Sequence, residues 1–216
     1  MVRSEKAKHV LDTAHPVRDA EVTQAKILAA AEEEFARHGL VAARTERIAA
    51  QTHVVKAMIH YYFKSKEGLY QAVLERAFSE ISSLGEQLDL EQLSPKPALK
   101  QYVRGFLACL SRNPNLPAIL FYEAIQNRGK YYKWTGMLQV YTTLAEILEQ
   151  GMAIGVFRTL EPRHAAINIV GVCIFYFTAH ENLKHLWRGK QMLSPEMLDQ
   201  HAQEAITTIM ASVQLS

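Results

Sequence analysis

Leu69, Val73, Ala77, Ile81, Leu84 and Leu88 recur at steps of four, four, four, three and four. That spacing lays one apolar line along an α-helix and none along a strand. It predicts a long helix of roughly six turns opening at Ser65, whose hydroxyl can accept from the free amides of the first turn. The same period returns on both sides of it, while strand alternation and any fixed repeat are missing, so the chain reads as all-α with about nine consecutive helices.

Punctuation sets the remaining boundaries. A first helix is expected from about Thr23 to His38, with Ile27, Ala31 and Phe35 on one face, Glu32 to Glu34 on a solvated face, and Gly39 as its left-handed stop. A short second helix follows from about Thr45 to Gln51, a tight turn at Thr52-His53-Val54, and a third from Val55 to Tyr61 or Phe63. Beyond the long fourth helix, Ser94-Pro95-Lys96-Pro97 and Asn113-Pro114-Asn115 bracket a fifth carrying Leu99, Val103, Phe106 and Leu110. The sixth is expected over Pro117 to Arg128, the seventh over Tyr131 to Met152 and the eighth over Arg163 to Trp187. The eighth is apolar on nearly every side between Ile167 and Phe177, which requires cover all round. The ninth starts after Ser194, with Leu198, Ala202, Ala205, Ile209 and Val213 inward. The first 22 residues contain His15-Pro16 and sustain no period, which reads as a flexible arm.

Several classes of function are disfavoured. The N-terminal stretch is polar and mixed in charge, unlike a secretory signal, and the apolar run Ile167 to Ala179 is shorter than the roughly 20 residues that span a bilayer. Cys109 and Cys173, far apart in apolar stretches, read as buried reduced thiols, in keeping with a cytoplasmic protein. His180 and His185 flank a Glu but stand five apart, about 500° of helical rotation, so they do not share the face that a zinc-protease helix needs. No glycine-rich phosphate loop, nucleophile elbow or close acidic pair on one helix face is present, so neither catalysis, a metal site nor a cofactor is expected.

Net charge is only +2, but its distribution is uneven. Residues 44–66 hold Arg44, Arg47, Lys56, Lys64 and Lys66 against Glu46, whereas from 77 to 216 twelve basic and twelve acidic residues cancel. A basic segment on a neutral body is the footprint of a chain that touches phosphate at one end. A short helix after a tight turn can enter a major groove about 12 Å wide and present its first side chains to base edges. Here those are Val55, Lys56, Ala57 and His60. Thr45 offers a hydroxyl and nearby free amides to a phosphate oxygen, with Arg44 and Arg47 as reinforcement. Tyr61 and Tyr62 combine flat apolar bodies with hydroxyls that reach the DNA backbone. Lys66 opposes the dipole of the helix it opens, which makes sense where a phosphate docks.

Phe35, Gly39, Thr45, Ile48-Ala49, Val54, Lys56, Ile59, Tyr61-Tyr62-Phe63, Ser65-Lys66-Glu67 and Leu69 follow an order that resembles the TetR family over about 48 residues. The resemblance implies a three-helix helix-turn-helix head at 23–70, joined by the long helix to a helical-bundle body at 71–216. It also implies a ligand-responsive repressor that binds a pseudo-palindromic double-stranded operator as a dimer. The last two helices are the dimer candidates. Two departures stand out. His53 replaces the usual turn glycine, and His60 and Val55 stand where Tyr and a small hydroxyl residue are common, so no base preference carries over. The body offers Phe106, Cys109, Tyr122, Trp134, Met137, Tyr141, Phe175 and His180 as candidate walls for a small apolar or aromatic effector, although at helical spacing each also suits plain core. The competing classes are a helical small-molecule-binding or catalytic protein with a vestigial helix-turn-helix, and a DNA binder that needs no effector.

Overall fold

A computed structural model describes the backbone of residues 5–215 and the side chains of residues 19–215. Two compact units divide between Val73 and Leu74. The first contains α1 (Glu5–Ala42), α2 (Thr45–Thr52), α3 (Lys56–Phe63) and the start of α4 (Lys66–Ala77). The second holds α5 (Ser79–Ser82), α6 (Leu84–Gln87), α7 (Pro95–Arg112), α8 (Asn115–Ile125), α9 (Met137–Ala153), α10 (Pro162–Leu183) and α11 (Pro195–Val213), with short 3-10 turns between some of them. The described residues contain no strand beyond an isolated bridge between Phe157 and Gln214.

In the first unit, Ile27, Ala31 and Phe35 of α1 are fully buried with Ile48 of α2, Ile59 of α3, and Leu69 and Tyr70 of α4. The Phe35 and Tyr70 rings meet edge-on at 4.9 Å, the arrangement that ring quadrupoles favour. Gly39 takes φ 67°, ψ 174°, breaking the helical path of α1 where the glycine stop was expected. The face expected to be solvated is different. Glu32 and Glu34 are buried and only Glu33 stands half in solvent, because α2 folds back onto this side of α1. The arm read over residues 1–22 is helical backbone from Glu5 onward, while its first four residues lie outside the described residues.

The long fourth helix is broken. Backbone angles flatten to φ −99°, ψ 6° at Phe78 and φ −96°, ψ 0° at Ser83, dividing it into α4, α5 and α6. Ser79, Ser82 and Ser83 donate their hydroxyls back to the carbonyls of Arg76, Ser79 and Glu80, competing with the backbone ladder. Helical bonds from Phe78 to Leu74 and from Ser82 to Phe78 persist. The apolar line therefore survives the breaks: Leu69, Val73, Ile81 and Leu84 are buried, with Phe78 in place of Ala77. The expected seventh helix is divided as well, since Gly136 at φ 66° separates a 3-10 turn, Tyr132–Thr135, from α9. A side chain at Gly136 would stand 2.5 Å from the Ser82 Cβ.

The core of the second unit draws Leu99, Tyr102, Val103, Phe106 and Leu110 from α7, Ile119 from α8, Val140, Leu144 and Leu148 from α9, Ile169, Val170, Cys173 and Phe177 from α10, and Ala205, Ile209 and Val213 from α11. Helix starts follow the sequence signals. Ser194 Oγ accepts from the Met197 amide at 3.4 Å and Glu161 Oε2 from the His164 amide at 2.6 Å, each just before a proline in the first turn. Gly151 is a close-approach position, since a Cβ there would lie 1.9 Å from the Phe157 ring. The cover required for α10 is incomplete within one chain: Ile167 and Phe175 are 56% and 64% exposed.

Candidate nucleic-acid interface

The two short helices meet through a Schellman turn. The His53 amide donates to Ala50 O and the Val54 amide to Ala49 O, while His53 itself sits at φ 57°, ψ 29°. Histidine thus occupies the left-handed position that glycine would fill at lower cost. Thr52 Oγ1 donates to Ile48 O at 2.7 Å, satisfying another carbonyl at the helix end. Val55 then takes an extended conformation (φ −75°, ψ 141°) as the residue before α3.

On α3, Ile59 points inward at 3% exposure. Lys56, Ala57, His60 and Tyr61 are all exposed, and helix rotation places them within about 140° of one another on the opposite side. Val55, immediately before them, is exposed too. Tyr61 is 71% exposed; its ring meets Tyr62 edge-on at 5.3 Å and lies under the Lys64 ammonium. Tyr62 is half-buried. An uncovered Tyr and Val beside a Lys and a His form a surface suited to groove contact.

Lys56 and Lys66 are among the expected basic residues that already have partners. Lys56 Nζ pairs with Glu46 across α2 and α3, and this bond holds the Glu46 carboxyl below its usual range. Both groups are more than half exposed, so the pair contributes little to stability and can open when a phosphate competes. Lys66 Nζ donates to the carbonyls of Val41 and Ala43, 3.2 Å from each. These carbonyls at the end of α1 give a cation in the first turn of α4 a partner within the chain, which the helix-dipole argument did not foresee. Ser65 accepts from the Gly68 amide at 2.9 Å, as its position before α4 predicts. Gly68 has its own requirement: a Cβ would lie 2.3 Å from Phe63 O, so the end of α3 is pressed against the start of α4.

Thr45 is the first residue of α2 and half-buried, and Arg44 before it is exposed without capping the helix by its side chain. The Arg44 amide instead donates to Glu34 Oε1 at 2.9 Å. That carboxylate was missed in the sequence, where three consecutive glutamates read as a polar face.

The eight candidate effector residues differ in burial. Phe106, Cys109 and Met137 are buried core, and burial pushes the Cys109 thiol up. The Cys173 thiol is likewise pushed up to about 12. Tyr122, Trp134 and Tyr141 are half-buried, and Tyr141 meets the Tyr132 hydroxyl, which burial shifts upward. Phe175 is exposed on α10, and His180 Nδ1 is bonded to Phe177 O. None of the eight lines the cleft of about 510 Å³ between α7 and α11, which is walled by Leu107, Ala108, Leu198, Ala202 and Ile206 with Arg104, Arg112, Asp199 and Gln203. They are absent also from a cleft of about 260 Å³ between α10 and α11 and one of about 580 Å³ beside α9. Among the described residues no cluster of His, Cys, Asp and Glu could hold a metal, and no helix is long and apolar enough to cross a membrane.

Residues 27–73 match the model of bacterial regulatory proteins of the tetR family, and residues 95–209 match the tetracyclin repressor-like C-terminal domain. The transcriptional repressor NicS of Pseudomonas putida is 28% identical over 204 residues, covering 92% of this chain and 93% of the relative. The transcriptional regulator RutR of Escherichia coli is 40% identical over 78 residues, 36% of each chain. Among solved structures, the ketosteroid transcriptional regulator KstR2 of Mycobacterium tuberculosis superposes with a TM-score of 0.70 at 17% identity over 89% of this chain and 95% of its own. The hemolysin II regulator HlyIIR does so with a TM-score of 0.65 at 23% identity over 91% and 99%. With both halves of the family architecture matched in order, the chain belongs to the TetR family and is a DNA-binding transcriptional regulator.

Proposed function

We propose that the protein is a cytoplasmic, ligand-responsive repressor that binds a pseudo-palindromic operator as a homodimer. The carrying observation is the exposed row Val55, Lys56, Ala57, His60 and Tyr61 at the start of α3, directly after the Schellman turn. Val55, Ala57 and His60 meet base edges; Arg44, Thr45, Lys56, Tyr61 and Tyr62 meet the sugar-phosphate backbone, and Lys66 adds charge beside the carbonyls it holds. The DNA-reading domain is residues 23–70, and residues 71–216 form the dimerisation and effector domain. Likeness to a repressor along nearly the whole chain favours repression over activation.

The dimer forms through α10 and α11. Ile167 and Phe175 are large apolar side chains left in solvent on α10, and a Cβ added to Gly171 between them would touch nothing. Such a row on a helix otherwise built for a core is the mark of an association surface. A small apolar or aromatic effector in the body then shifts the population between head spacings, and it acts only through its different affinity for the two.

The test is selection of fragments from random DNA with the full chain, followed by titration of the selected fragment against a scrambled one over a range of salt. A two-fold-symmetric fragment, bound with a steep salt dependence and preferred over the scramble, is expected. Equal binding to both fragments would remove sequence-specific regulation. A monomeric mass by light scattering at micromolar concentration would remove the dimer.

A further inference from the structure

We propose that Glu34, a buried carboxylate of α1 that does not face DNA, positions the start of α2 and the Arg47 guanidinium for phosphate contact, and so sets operator affinity indirectly. The inference rests on the DNA-binding reading above and adds a residue to it.

Glu34 keeps 8% of its surface in solvent. A carboxylate this far from water requires partners, and two donors converge on its Oε1, with the His38 imidazole beside them. The Arg44 amide reaches Oε1 at 2.9 Å, Arg47 Nη1 reaches the same oxygen at 3.4 Å, and His38 Nε2 lies 3.6 Å from Oε2. Arg47 Nη1 also lies 3.1 Å from His38 Nε2. The carboxylate therefore grips α2 twice: by the backbone of the residue that precedes it and by a side chain one turn along.

The geometry gives each grip a consequence. Arg44 precedes α2 in an extended conformation and does not cap the helix with its own side chain. Holding its amide fixes where the helix begins, and with it the direction of the first free amides and of the Thr45 hydroxyl, the groups suited to a phosphate oxygen. Arg47 is half exposed. Its Nη1 is held by Glu34 and His38, which leaves the other donors of the planar fork for a phosphate. A guanidinium oriented before contact loses less freedom when it meets a phosphate than one sweeping free.

The test compares Glu34→Gln, Arg47→Ala and the double variant in the full chain by operator titration across salt, beside thermal melts. Glu34→Gln keeps an acceptor for the Arg44 amide but removes the charge that holds Arg47. We expect it to melt within a few degrees of the parent and to weaken operator binding about ten-fold. Arg47→Ala is expected to weaken binding by a similar factor and to lower the salt slope by about one. Because Glu34 acts through Arg47, the double variant should bind no more weakly than Arg47→Ala alone. Additive losses, or unchanged affinity of Glu34→Gln well below its melting temperature, would overturn the proposal. Should Glu34→Gln fold poorly, unchanged affinity of Arg47→Ala alone overturns it, since that side chain is exposed and its removal leaves the core intact. Absence of operator preference in the parent chain points instead to failure of the DNA-binding reading itself.

Discussion

The head and the body of this chain are both helical, yet they expose opposite kinds of surface. In the head, a short helix turns one buried residue, Ile59, inward and leaves Lys56, Ala57, His60 and Tyr61 out. In the body, the candidate binding residues are either sealed, as Phe106 and Met137 are, or placed outside every described cleft. A DNA-reading surface must be presented before its partner arrives, so its residues are uncovered in the free chain. An effector site enclosed by helices draws on the same residue types as the core, and only packing tells them apart.

The largest expected effect tests the sealed side of that contrast. Phe106 is 1% exposed on α7, and Phe106→Ala is expected to cost about 3–5 kcal/mol, read as a fall in denaturation midpoint of the body. A melt near the parent's, with changed response to effector alone, would return Phe106 to a ligand wall and narrow the difference between the two regions.

The presented side is broken or kept by Lys56→Ala with Tyr61→Phe. Both are expected to weaken operator binding, Lys56→Ala about ten-fold, with melts unchanged since neither side chain is buried. Unchanged affinity in both would leave the exposed row of α3 without a purpose. Its legibility in the sequence has a simple cause: the head is defined by local signals, a glycine stop, a turn and a capping serine, each acting within a few residues. Lys66 shows the limit of such signals. Its position at a helix start was legible, but its partners are the carbonyls of residues 25 and 23 positions earlier, which no local pattern reveals. Glu34 shows the same limit, being one of three adjacent glutamates until α2 folds back on it. The broken fourth helix failed for the opposite reason: its apolar spacing stayed correct while serine hydroxyls pulled the backbone aside.

A smaller effect separates the regions by pH. His201 of α11 stacks on Tyr176 of α10 at 4.1 Å, and its buried Nε2 has no hydrogen-bond partner. Burial holds its pKa below the ordinary value of 6.5, against a weaker opposing pull from the Cys173 backbone. A histidine depressed in the folded state leaves stability untouched above 6.5. As pH falls below that value the unfolded chain takes up the proton first, and the folded state loses ground until the depressed pKa is passed. The body should therefore melt earlier as pH drops below 6.5, and His201→Gln should flatten that slope. A slope that survives the substitution would assign the pH response elsewhere.

The smallest effect lies at His53, where the head departs from the glycine that its turn would favour. A non-glycine residue at φ 57° carries a left-handed cost of about 1–2 kcal/mol, and glycine returns about 0.5–1 kcal/mol of that as extra freedom in the unfolded chain. His53→Gly should therefore stabilise the head by only about 0.5 kcal/mol, with the two Schellman bonds from His53 and Val54 retained. The outcome for DNA is the more informative half. The His53 side chain is exposed, two residues ahead of Val55, the first group assigned to the groove. A stabilised head with unchanged operator affinity makes His53 a tolerated substitution in a turn that any left-handed residue can serve. A stabilised head that binds more weakly makes the imidazole itself part of the reading surface, extending the presented row back from Val55 into the turn.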